Sequence, residues 1–137
     1  MRNSLYALMI VSALLAGCSG MPYAPVNYSN GLMTGANGRT LYTFDKDTPG
    51  SGKSVCNAAC ATNWPAFTAS VADQAGGDWT IVTRDDGMKQ WAWAGKPLYY
   101  WSKDQKAGDV TGDGFNNNTW HAVRPEPRPM TGSMSGP

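Results

Sequence analysis

The chain is 137 residues long, 42% apolar and 15% charged, with eleven basic and ten acidic side chains. That length holds one domain once an export segment is subtracted, and the near balance of charge gives no electrostatic basis for binding nucleic acid or for clinging to anionic lipid by charge alone. Trp, Tyr and Gly are plentiful, which favours strands and turns over long helices.

Met1-Arg2 is a short basic start, Leu5 to Ala16 an apolar run, and Leu15-Ala16-Gly17-Cys18 closes it. The run is too short to cross a bilayer as a stable helix and reads as a signal peptide over residues 1–17. The closing tetrapeptide resembles the lipobox of bacterial lipoproteins. That resemblance implies diacylglyceryl transfer to the Cys18 thiol, cleavage before Cys18 and acylation of the freed amine, and two or more acyl chains hold a protein on a membrane where one would not. Ser19, rather than Asp, after the cysteine implies by the same resemblance an outer-membrane location facing the periplasm in a Gram-negative host. Loss of the leader takes Arg2 with it and leaves ten basic against ten acidic side chains.

Residues 18–30 carry two prolines and no apolar periodicity, and read as a lipidated tether. A β domain is expected over 31–124. Leu32-Met33-Thr34 and Thr40 to Phe44 are β-prone runs either side of Gly35-Ala36-Asn37-Gly38-Arg39, where Asn-Gly predicts a hairpin. After the loop Thr48 to Gly52, the segment Ser54 to Asn63 has the only helical promise: alanines inside, Ser54 to cap it, Pro65 to stop it. Residues 66–78 read as a connection. Trp79 to Thr83 and Lys89 to Trp93 are strands about an Asp86-Gly87 turn, and Ala94-Gly95-Lys96 leads into a third strand, Pro97 to Trp101, so that a meander forms. Asp104 to Asn118 is a Gly-, Asp- and Asn-rich loop, Thr119 to Val123 the last strand, and residues 125–137 have the composition of a disordered tail.

Within this order one heptapeptide occurs twice. Leu41-Tyr42-Thr43-Phe44-Asp45-Lys46-Asp47 and Leu98-Tyr99-Tyr100-Trp101-Ser102-Lys103-Asp104 share the pattern Tyr-x-aromatic-x-x-Asp, and Gly-basic-x introduces each. Trp64 stands 22 residues after Tyr42, and Trp120 stands 21 after Tyr99. A likeness on this scale predicts two related halves, 31–66 and 79–124. The fold class that results is mainly β, antiparallel hairpins and meander in two pseudo-repeats with one short helix.

A lipobox followed by two Tyr-x-(Phe/Trp/Tyr)-x-x-Asp motifs resembles the secreted-repeat family of predicted bacterial lipoproteins. The resemblance covers about residues 31–124 and includes Arg84-x-Asp86-Gly87, the Gly95-x-Pro97-Leu98-Tyr99 approach and the loop Gly108-Asp109-x-x-Gly112-x-Gly114. It implies an envelope location and carries no established activity.

The chemistry offered by the residues is sparse. Tyr42, Phe44, Tyr99 and Trp101 suit either a ligand-binding aromatic face, with Asp47 and Asp104 as acceptors, or the core of each half, with each Asp holding the turn it begins; alternate large aromatics on a strand favour core. Cys56 and Cys60 lie outside the cytoplasm and, with Cys18 taken by lipid, form an even pair, so a disulfide across one helical turn is expected. The rival is a periplasmic copper or thiol-redox site, because Cys56-x-x-x-Cys60 with His121 resembles the ligand set of thioredoxin-like copper-delivery lipoproteins and thiolates suit Cu(I). The loop from Asp109 to Asn116 resembles the start of a calcium loop, which makes a calcium-dependent recognition module a further alternative, but Trp120 stands where a bidentate acid belongs, and a Gly/Asp turn closing the second half is favoured. No nucleophile elbow, zinc-protease helix or phosphate loop is present, and one histidine leaves few ways to build a general base. The expectation is therefore a non-catalytic binding or structural module on a membrane through its lipid, with an unknown envelope protein or small ligand as partner and with no cofactor, metal or nucleic acid.

Overall fold

The computed structural model describes residues 24–126. The leader, Cys18, most of the expected tether and the tail beyond Glu126 lie outside the described residues. Seven strands are described: β1 (Val26–Ser29), β2 (Leu32–Gly35), β3 (Tyr42–Phe44), β4 (Trp79–Thr83), β5 (Lys89–Trp93), β6 (Lys96–Pro97) and β7 (Trp120–Ala122). Two short helical segments join them, α1 (Ala59–Asn63) and α2 (Phe115–Asn118). Every pairing is antiparallel, so the chain is mainly β, in small sheets.

The first strand lies inside the stretch read as tether. Asn30 and Gly31 take φ of 51° and 76°, the positive pair that a two-residue type I′ hairpin requires, and they fold β1 onto β2 with Val26 opposite Gly35. The Asn-Gly at 37–38 does less. It returns the chain only far enough for an isolated Thr34 to Thr40 bridge and a bond from Leu41 N–H to the Met33 carbonyl at 3.0 Å. The regular partner of β3 is instead β7, with Tyr42 opposite Ala122 and Phe44 opposite Trp120.

The meander forms as β4-β5-β6, with Trp79 opposite Trp93 and a second positive-φ pair, Ala94 and Gly95, turning β5 into β6. Regular pairing with β5 stops at Pro97. Leu98 N–H still donates to the Trp91 carbonyl of β5, and from Tyr99 onward the second motif leaves β5 and bridges to Tyr42 and Ala66 instead.

The two repeats are exchanged rather than adjacent. Leu41 N–H donates to Met33 O, Met33 N–H to Val123 O and Val123 N–H back to Leu41 O, at 3.0, 2.9 and 2.9 Å. The same closed ring of three recurs among Leu98, Trp91 and Phe67, at 3.0, 2.9 and 2.9 Å. Each ring takes two members from one repeat and its third from the other. Thus the segment after Trp64 pairs with the second motif, and the segment after Trp120 pairs with the first.

Side-chain alternation on the motif strands builds two cores. Leu41 and Leu98 face one, with Met33, Phe67, Trp91 and Val123. Tyr42, Phe44, Tyr99 and Trp101 face the other, with Trp64, Trp120 and Cys56.

Candidate functional site

Tyr42 and Tyr99 sit at the centre of the second core, both fully buried. Each donates its backbone N–H to the other's carbonyl, at 2.8 and 2.9 Å. Their hydroxyls cross over: Tyr42 donates to Asp104 Oδ2 at 2.6 Å and Tyr99 to Asp47 Oδ2 at 2.5 Å. The tyrosine of each motif is therefore tied to the aspartate of the other. The second carboxylate oxygens close the loops that follow. Asp47 Oδ1 accepts the Val55 N–H at 2.8 Å, and Asp104 Oδ1 accepts the Thr111 N–H at 3.0 Å and its hydroxyl at 2.6 Å. Buried carboxylates need such partners. Burial, and then the neighbouring carboxylate, push both phenols well above the ordinary tyrosine range. Burial also raises the Asp47 carboxyl, against the opposing pull of the Tyr99 hydroxyl, the Val55 N–H and Arg84.

The motif aromatics form a column. Phe44 stacks on Trp120 at 4.1 Å and 11°, Trp120 on Trp64 at 3.7 Å and 1°, and Trp64 tilts onto Trp101 at 4.1 Å and 30°. Tyr42 meets Trp64 edge-on at 5.3 Å, and Tyr99 meets Trp120 edge-on at 5.1 Å. Phe44 with Trp120 and Trp101 with Trp64 are equivalent pairs, so the Trp64–Trp120 contact marks the pseudo-twofold. Gly112 lies against this column, where an added Cβ would stand 2.7 Å from the Trp64 ring and 2.9 Å from that of Trp101.

Two arginines complete the packing. Arg84, 5% exposed, donates to Ser54 Oγ at 3.0 Å, Gln90 Oε1 at 2.7 Å and the Cys56 carbonyl at 2.6 Å. Ser54 Oγ is also 2.6 Å from the Tyr99 hydroxyl. Arg39 of the first repeat donates to the carbonyls of Trp101, at 2.8 Å, and Asp104. Ser54 is thus a member of a buried network and not the expected helix cap, which falls at Ala58 with no side-chain bond. Nothing in local propensity marks Arg84, which reads as a turn residue; the one sign was its place in the Arg84-x-Asp86-Gly87 motif of the resemblance.

Cys56 and Cys60 form a disulfide with Cα atoms 5.2 Å apart. It does not staple one helical turn. The helix runs only from Ala59 to Asn63, and Ala58, at φ 53°, breaks the chain between the two cysteines.

The remaining acids are held locally. Asp109 Oδ2 accepts the N–H groups of Gln105 and Lys106, and these bonds lower its carboxyl. Asp113 accepts the Ala122 N–H and pairs with Arg124 at 3.1 Å. Asp85 receives Asn57 Nδ2 at 3.2 Å, Asp86 receives the Met88 N–H at 2.9 Å, and Asp45 is 2.8 Å from His121 Nε2. Among the described residues no group of three or more His, Cys, Asp or Glu side chains is placed to hold a metal ion. α2 is a turn in which Asn116, Asn117 and Asn118 all take positive φ, a conformation asparagine tolerates.

Among the described residues, open clefts lie outside the column. One, of about 250 Å³, is lined by Thr43, Trp93, Lys96, His121 and Arg124. Another, of about 320 Å³, is lined by Asn27, Ser29, Asn30 and Thr34 together with Leu32 and Ala107 and carries no charged side chain.

A family described as a secreted repeat of unknown function matches residues 26–68 and, a second time, residues 80–124. The chain belongs to this secreted-repeat family. The matches begin at the start of β1 and one residue inside β4, so that each copy holds a hairpin, a motif segment, a loop and a tryptophan segment. Membership gives the protein an extracellular or envelope location. No curated protein matches the chain, and no solved structure does.

Proposed function

We propose that this chain is an envelope lipoprotein held by lipid on Cys18, whose folded domain is a non-catalytic binding module for an anionic envelope component. The observation that carries the binding reading is the use of the motif residues. Tyr42, Phe44, Asp47, Tyr99, Trp101 and Asp104 are all 9% exposed or less, and their hydroxyls and carboxylates bond to one another, to backbone or to the Ser54 and Thr111 hydroxyls. They serve the scaffold, which leaves recognition to the clefts. The cleft beside β7 combines the half-buried Trp93 with Lys96, His121 and Arg124, an apolar wall rimmed by nitrogen donors, of which His121 and Arg124 also contact Asp45 and Asp113. Such a site suits a carboxylate or phosphate on an apolar or ring-bearing frame.

Two experiments separate the parts. Metabolic labelling with a palmitate analogue is expected to mark the wild-type chain and not Cys18→Ser; an unlabelled membrane-free wild type sinks the anchor. Titration with a phosphate-bearing oligomer and a tetraglutamate peptide, followed by tryptophan fluorescence, is expected to show saturable binding weakened in Lys96→Ala and Arg124→Ala. A flat titration with both probes sinks the anionic-ligand reading.

A further inference from the structure

The aromatic column has one feature that packing does not require. A core needs apolar rings, and Phe at positions 42 and 99 would fill it without desolvating two carboxylates, whose burial is unfavourable until fully compensated. Instead each tyrosine touches the tryptophan stack with its ring edge and a buried carboxylate with its hydroxyl. Indole and phenol are the side chains most readily oxidised by one electron, and a phenol is oxidised readily only when its proton has a base to go to.

The geometry points to a further activity of the secreted-repeat core: it is an internal relay that reduces one-electron oxidants, with Trp101, Trp64 and Trp120 as carriers and the Tyr42–Asp104 and Tyr99–Asp47 pairs as the sites where the oxidising equivalent comes to rest. The co-reactant is an oxygen-centred radical or a ferryl haem reaching the surface near Trp101, which lies 4% exposed beneath the half-exposed Phe115 at 4.7 Å. The oxidant takes one electron from the Trp101 indole and leaves its radical cation. Trp64, tilted against it at 4.1 Å, refills Trp101, and Trp120, stacked at 3.7 Å, exchanges with Trp64. Tyr42 then gives one electron to Trp64 and its phenolic proton to Asp104 along the existing 2.6 Å bond. The products are a neutral tyrosyl radical, a protonated Asp104 and restored indoles. Tyr99, Trp120 and Asp47 repeat the step on the other side of the pseudo-twofold. A diffusible thiol or enediol returns one electron, Asp104 returns the proton, and the pair is reset. The raised Asp47 carboxyl, a better base than an exposed one, is in keeping with this role. This reading needs neither the lipid anchor nor the anionic ligand.

The test uses the full chain with Tyr6, Tyr23, Tyr28 and Tyr100 changed to Phe, so that Tyr42 and Tyr99 are the only tyrosines left. Of the four, Tyr28 and Tyr100 are among the described residues, and neither belongs to the column. Oxidation by flash-quenched ruthenium(III) tris-bipyridine is followed by transient absorption and electron paramagnetic resonance. The expected result is a tryptophanyl signal that converts to a tyrosyl signal, more slowly in D2O, with most of the tyrosyl yield lost on adding Trp101→Phe. Decay of the tryptophanyl signal with no tyrosyl formed overturns the relay, and so does a tyrosyl yield that Trp101→Phe leaves unchanged.

Discussion

Tyr42 and Tyr99 hydrogen-bond each other's backbone in both directions, and each sends its hydroxyl to the aspartate that ends the other's motif. The repeated heptapeptide is thus one reciprocal lock made of two copies. Tyr42→Phe leaves Asp104 Oδ2 buried without its donor, at a loss of about 1.5–3 kcal/mol for a bond to a charged group. A double-mutant cycle of Tyr42→Phe with Asp104→Asn, read by urea unfolding, is expected to give a coupling of about 1–3 kcal/mol. Additive losses would mean that the two side chains do not act as a pair.

Acid and alkali should act on this lock with defined signs. The Asp47 carboxyl is raised in the folded state, so the folded chain binds its proton more tightly than the unfolded one. Its contribution is therefore fully present below the unfolded value of about 4 and is lost as pH rises through the raised folded value. Asp109 is lowered, and its contribution runs the other way, present above the ordinary value and lost as pH falls through the lowered one. The two phenols are raised, so their contribution is full below about pH 10 and declines above it as the unfolded chain ionises. Urea midpoints across pH are expected to follow this course. Asp47→Asn should remove the weakly acidic slope and leave the alkaline fall; persistence of the slope would assign it to another group.

The Cys56–Cys60 disulfide closes a loop of only a few residues, and chain entropy then assigns it about 2 kcal/mol. Intact mass without reductant is expected to be lower by two hydrogens at this pair. Cys56→Ser with Cys60→Ser should lower the unfolding free energy read from urea titration by that amount while the tryptophan stack survives. Unfolding of the variant would give the disulfide a larger part than its short loop explains.

Gly112 owes its identity to close approach. With an added Cβ 2.7 Å from the Trp64 ring and 2.9 Å from Trp101, and with both rings fixed in the column, Gly112→Ala is expected to destabilise by about 1–3 kcal/mol, as overpacking does. Gly50→Ala is a useful contrast, since nothing lies within 4 Å there and the loss comes from its positive φ of 75° alone. Near-ultraviolet circular dichroism of the tryptophans should change in the first variant and not in the second.

Much of the architecture was legible in the sequence because the motif repeats with its flanks. Gly38-Arg39 and Gly95-Lys96 both turn into a motif strand, and both glycines take φ near 80°. The strands at Trp79 to Thr83 and Lys89 to Trp93 follow from β-prone runs about Asp86-Gly87, and their bounds coincide with β4 and β5. What was missed is mostly non-local. β1 is hidden in the sequence because residues 18–30 hold two prolines and no apolar periodicity, although Asn30-Gly31 carries the hairpin signal. The exchange of tryptophan strands between repeats left no trace, since Leu41 pairs as well with a strand from either half. The helix is shorter than its alanines suggest, because local propensity favours helix from Ser54 whereas Ser54 and Cys56 are held outside it by Tyr99 and Arg84.

The interlock is tested most directly by cutting the connection between the repeats. Val71, 96% exposed, admits a protease site in the full chain, and both disulfide cysteines lie on the same side of the cut, so no covalent bond would join the pieces. The exchanged strands and the Tyr42–Asp104 and Tyr99–Asp47 bonds predict that the nicked protein elutes as one species in native buffer, unfolds in a single transition and separates only in denaturant. Two fragments that part in native buffer, each keeping its own fold, would contradict the account.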